Sequence, residues 1–69
     1  MQLSLIVEQE EDGRWIAEVP ELPGVMVYGA SKSEAMAKAE VLALRVLADR
    51  VEHAEAGPQS FEIVVPVAA

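Results

Sequence analysis

Carboxylates are the residues in this chain whose number and spacing come closest to chemistry. Half of its 12 acids, Glu8, Glu10, Glu11, Asp12, Glu18 and Glu21, fall in one short stretch, with Arg14 alone to offset them. Carboxylates can hold metal ions for phosphoryl hydrolysis, but that reaction needs them clustered around one or two cations. The first strand candidate, LSLIVEQ, has no central aspartate, and the remaining acids belong on turns or on an exposed helix stripe. His53 is the only histidine, and no serine or carboxylate constellation in the sequence makes it a base. There is no cysteine, so neither a disulfide nor a structural zinc site is expected. The sequence therefore predicts no enzyme and no cofactor. Two roles remain for the acidic group: docking a basic protein, or keeping a hairpin tip solvated. With a net charge of −7 and a pI near 4.4, the surface would be repelled by the phosphates of bare nucleic acid.

The elements that position these acids can be read from punctuation and periodicity. Residues 2–9 and 14–19 are strand candidates, and Asp12-Gly13 between them signals a hairpin. A four-residue loop would pair Gln9 with Arg14 and set Leu5 opposite Glu18. A three-residue loop with Gly13 as a G1 bulge pairs Leu5 with Val19 and Val7 with Ala17. The second register gathers Leu3, Leu5, Val7, Trp15, Ala17 and Val19 on one face, so the hydrophobic pattern favours it. The other face carries Ser4, Ile6, Glu8, Ile16 and Glu18. PELPG, Pro20 to Gly24, then ends the second strand, because Pro20 has no N–H for a ladder. Pro23-Gly24 suits the centre of a type II turn, with Leu22 between the two prolines, and feeds a third strand over Val25–Tyr28. Gly29 follows. Ser31 and Glu34 fit a capping box, so a helix is predicted from near Lys32 to about Glu52. Residues 53–60 form a polar connection with a Gly-Pro break, and Phe61–Val67 a last strand, with Phe61, Ile63 and Val65 on one face and Pro66 at its edge or end.

The result is an α+β domain in β-β-β-α-β order. An antiparallel three-stranded meander is followed by a helix across one sheet face and a fourth strand parallel to the first. One domain over 1–69 is expected, in the cytoplasm: no apolar run reaches membrane-span length, and the N-terminus lacks the basic start of a signal peptide.

Composition points to self-association. The chain is 52% hydrophobic, and a domain of this length buries only about 60% of its unfolded surface. On a helical wheel, Glu34, Lys38, Arg45, Asp49 and Glu52 share one narrow stripe, and nearly everything else is apolar. Glu40 lies among apolar neighbours and needs a partner; Arg50 or a nearby backbone group is the expected one, and a contact to another subunit or to a partner protein is the alternative. Ile6, Ile16, Met26, Tyr28 and Val64 on the sheet back, with Leu44 on the helix, are candidates for an oligomer interface. A dimer is the default.

The run DGRWIAEVPELPGVMVYGASKSEAMAKAE resembles the N-terminal domain of HicB-type antitoxins. The matching features are Asp12-Gly13, the aromatic Trp15, Pro20 with Leu22-Pro23-Gly24, and Gly29-x-Ser31-x-x-Glu34-Ala35 opening the helix. Glu40 falls where that family has a helix glutamate, and Val25 where many members have cysteine. The match covers roughly residues 5–52. It implies a partial RNase H-like fold and a role in binding and neutralising a small basic mRNA-cleaving toxin of the HicA type. Glu8, Glu10, Glu11, Asp12, Trp15, Glu18 and Glu21 would form the contact. Full-length HicB proteins add a C-terminal DNA-binding module, and none is expected within these 69 residues. The alternative is a stand-alone oligomeric scaffold or ligand-binding domain of the same fold, without a toxin.

Overall fold

The computed structural model describes residues 2–53, 58 and 60–65. The elements are β1 (Gln2–Ser4), β2 (Ile6–Gln9), β3 (Trp15–Glu18), β4 (Met26–Gly29), α1 (Lys32–His53) and β5 (Glu62–Val64). β2, β3 and β4 form the antiparallel meander, and β5 runs parallel to β1. Among the described residues, no helix is long and apolar enough to cross a membrane.

The hairpin takes the bulged register. Val7 pairs with Ala17 and Gln9 with Trp15. The Glu10 N–H donates to the Arg14 carbonyl at 2.7 Å, and the Gly13 N–H to the Glu10 carbonyl at 3.0 Å. Gly13 sits at φ +90°, which closes the three-residue loop. Leu3, Leu5, Ala17 and Val19 are consequently buried, with Val7 and Trp15 packed against them.

PELPG makes two successive turns. The Leu22 N–H donates to the Val19 carbonyl at 3.0 Å, with Pro20 leading that turn, and the Val25 N–H to the Leu22 carbonyl at 3.1 Å. Gly24 has φ +88°, as the second turn requires. Leu22, 1% exposed, points inward between them. A Cβ at Gly24 would meet nothing within 4 Å, so only backbone strain opposes alanine there. Gly24→Ala is expected to cost ~1 kcal/mol, read from urea denaturation. An unchanged midpoint would show that the left-handed turn is not worth that much.

The strands predicted over 14–19 and 61–67 are shorter at both ends, the one over 25–28 shifts by one residue, and the first strand divides. The expected single run over 2–9 is β1 and β2, joined at Leu5. β3 stops at Glu18 as the chain turns into the proline corner, so β1 loses its antiparallel neighbour. The Ser4 N–H that faces the corner donates to Glu21 Oε1 at 3.0 Å instead. On the other side, the Leu5 N–H donates to the Val64 carbonyl at 3.2 Å, prolonging the β1–β5 pairing. The final strand is also shorter than predicted. Phe61 and Ile63 pack on the core, while Val65, beyond the end of β5, is 45% exposed. Gly57, Pro66 and Val67, on which the connection and strand-end readings partly rest, lie outside the described residues.

The helix begins where the capping residues place it. Ser31 Oγ accepts from the Glu34 N–H at 3.1 Å. The reciprocal half of the box is replaced, because the Glu34 carboxylate pairs with Lys38 Nζ at 2.9 Å. That bond holds the Glu34 pKa below the ordinary carboxylate value. Ala35, Ala39, Ala43 and Leu47 are buried against the sheet, flanked by Met36, Leu42 and Val46. Ala37, Val41, Leu44, Ala48 and Val51 face away and are exposed. The expected Glu40–Arg50 bond is not formed: among the described residues, half-buried Glu40 has no hydrogen-bond or ion-pair partner.

Candidate protein-binding surface

The sheet has one side under the helix and one side open. Strand alternation and the observed register put Ile6, Ile16, Met26 and Tyr28 together on the open side of the meander, and Val64, in the separate β1–β5 pair, stands beside Ser4, which alternation sets on the same side as Ile6. Ile6 stands beside Glu18, Glu18 beside Met26, and Ile16 beside Tyr28. Met26 is 53% exposed, and Ile6, Tyr28 and Val64 are each at least 40% exposed. An apolar strip therefore crosses the sheet back in contact with solvent. Carboxylates interrupt and border it: Glu8 and Glu18 from the meander, and Glu62 beside Gln2, whose Nε2 donates to Glu62 Oε1 at 3.1 Å.

One cation sits on this side. The Arg14 guanidinium lies 4.4 Å from the centre of the Tyr28 ring, a cation–π contact. Asp12 holds it from the hairpin: Arg14 Nε donates to Asp12 Oδ2 at 2.8 Å and the Arg14 N–H to Asp12 Oδ1 at 3.1 Å. These bonds lower the Asp12 pKa, the backbone one most. Glu10, Glu11, Asp12 and Arg14 line a shallow polar hollow at the tip. Glu21 is likewise lowered, by its bond from the Ser4 N–H. A depressed folded pKa means that each contribution is present above the ordinary carboxylate range and lost as pH falls through the lowered value. All three carboxyls, Glu34 included, are solvent-exposed, so each contribution is small.

The predicted contact residues thus separate. Glu8 and Glu18 adjoin the apolar strip. Glu10, Glu11 and Asp12 form the tip. Glu21 is exposed but engaged with β1. Trp15 turns to the helix side, half-buried against the core, and is not part of the open surface. Of the predicted oligomer residues, five share the sheet back, and Leu44 lies on the outer side of α1, across the molecule. The Arg14–Tyr28 stack was not read from the sequence. Its signal was available in the register, which places Arg14 and Tyr28 on the same face.

Asp49, Glu52 and His53 bring potential ligand atoms within 4.8 Å of one another at the end of α1, all exposed. His53 Nδ1 is already bound there, 2.8 Å from the Asp49 carbonyl oxygen and 3.2 Å from its carboxylate. That local bonding accounts for the cluster as the solvated end of a helix.

Comparison with protein-family models, with curated proteins and with solved structures finds no match. The HicB-like reading therefore rests on the residues quoted above.

Proposed function

We propose that this chain is an antitoxin-type protein-binding module, acting in the cytoplasm without a catalytic step of its own. Its sheet back receives a small basic protein, an RNA-cleaving toxin of the HicA type, and covers the surface that the toxin needs. The supporting observation is the pairing of exposed Ile6, Met26, Tyr28 and Val64, with half-buried Ile16 among them, and bordering Glu8, Glu18 and Glu62. Solvent-exposed apolar groups on one face mark an interaction site. The carboxylate border selects a cationic partner and disfavours a second acidic copy. Arg14, stacked on Tyr28, offers hydrogen-bond donors to the same partner.

The test is an RNA-cleavage assay with a small basic RNA-cleaving protein of the HicA type as the probe. Equimolar wild-type chain is expected to stop cleavage. Met26→Glu puts a charge in the strip at a position too exposed to threaten folding, and about tenfold more of it should be needed, since interface energy concentrates in few central residues. Undiminished cleavage with wild type, or full protection by Met26→Glu, would remove the proposal.

A further inference from the structure

The outer side of α1 carries a second apolar surface that the sheet-back reading leaves unused. Its exposed residues are Ala37, Val41, Leu44, Ala48 and Val51, and Val41, Leu44 and Val51 are 49%, 51% and 39% exposed. Their spacing alternates four and three, which is the a/d seam of a coiled coil. Assigning Val41 and Ala48 to a makes Ala37, Leu44 and Val51 d. Lys38, Arg45 and Glu52 then occupy e, and Glu40 and Leu47 occupy g. Two heptads are short for a free coiled coil. Here the helix is already folded against the sheet, so pairing does not have to meet the cost of helix nucleation.

We propose that this seam pairs with a second copy of the chain, in parallel, to give a dimer whose two sheet backs face outward. Three observations select a second copy. First, an a/d seam is self-complementary under a two-fold axis, and a β-branched residue at a with leucine at d, Val41 with Leu44, favours two strands. Second, a parallel pair sets g of one helix beside the following e of the other. That is Glu40 beside the partner copy's Arg45, twice. Within the single chain, neither Glu40 nor Arg45 has a hydrogen-bond or ion-pair partner among the described residues. The second copy supplies both. Third, the alternative face matches itself poorly: a two-fold contact there would set Glu8, Glu18 and Glu62 against a face carrying the same three carboxylates, with Arg14 as the cation beside them. The dimer does not depend on the toxin reading, since the two surfaces lie on opposite sides of the molecule.

Sedimentation equilibrium at tens to hundreds of micromolar decides the stoichiometry. The expected mass is twice 7.4 kDa. Leu44→Lys should sediment as a monomer while retaining its circular dichroism. Glu40→Lys and Arg45→Glu should each weaken the dimer by about tenfold, and the double swap should restore it, because only the sign at each end has changed. Direction is read by cross-linking. The chain has no native cysteine, so Val51→Cys or Ala37→Cys alone should oxidise to a covalent dimer, as self-facing d positions do. A wild-type monomer, a double swap that stays weak, or a dimer that neither cysteine can link would each overturn the parallel seam.

Discussion

Gly29→Ala is expected to destabilise the domain by ~3 kcal/mol or more, since it forces a side chain into a filled, rigid space. A Cβ built at Gly29 falls 2.5 Å from the Ala35 backbone nitrogen and 2.9 Å from its Cα. Real Cβ atoms do not approach backbone so closely, and the atoms they would meet cannot rotate away. Gly29 ends β4 and Ala35 lies in the first turns of α1, so relief requires the helix to lift off the sheet at the point where it enters. Ala35 itself is fully buried. The chain has little stability to lose: a domain of this size holds roughly 3–10 kcal/mol in total. The midpoint of thermal unfolding should fall by more than about 10 °C, at about 4–8 °C per kcal/mol for a chain this short. A shift smaller than that of Gly24→Ala would contradict the close approach. The comparison is informative because the two glycines serve different needs. Gly24 supplies a left-handed backbone with open space around it, whereas Gly29 supplies space.

Leu22→Ala should be nearly as damaging, by about 2–5 kcal/mol, through lost burial and the cavity left behind. Leu22 belongs to a turn, where substitution is ordinarily tolerated. Here the corner folds it inward until it is among the three largest fully buried side chains, with Leu3 and Val19. The buried helix residues are largely alanines, which fill little volume, so Leu22 carries an unusual share of the core. Leu22→Met, which conserves volume, should cost less than about 1.5 kcal/mol. Urea denaturation of both variants checks the pair. Equal losses would mean that the site senses the polarity or geometry of the turn rather than its volume.

Much of this architecture was legible because local chemistry and hydrophobic pattern agree. Asp12-Gly13 and the alternation around it select one hairpin register, and the structure adopts it. Ser31 marks the start of α1, and Pro23-Gly24 marks the turn. A helix can offer only one arc to one sheet, so α1 buries Ala39, Ala43 and Leu47 and leaves Val41, Leu44 and Val51 exposed; the wheel is apolar almost all round and does not say which arc faces the sheet. What stayed hidden depends on groups distant in sequence. The division at Leu5 arises because the corner withdraws β3 from β1, so Glu21 reaches the Ser4 N–H across 17 positions. No periodicity encodes that. The tightness at Gly29 likewise depends on how closely a helix settles on a sheet. The surface was half legible: the acids and the apolar residues could each be listed, but only the register shows that Glu8 and Glu18 border the strip while Trp15 faces the other way.

The claim that the acidic, apolar sheet back receives a basic protein is tested most directly by mapping the contact residue by residue. Isotope-labelled chain would be titrated with a small basic protein of the HicA type, in a form unable to cleave RNA, and followed by NMR. Saturable shifts are expected at Ile6, Ile16, Met26, Tyr28 and Val64, with Val41, Leu44 and Val51 unmoved. Affinity should weaken as salt screens Glu8, Glu18 and Glu62. Shifts confined to α1, binding indifferent to salt, or no binding at all would contradict the assignment of the sheet back as the docking surface.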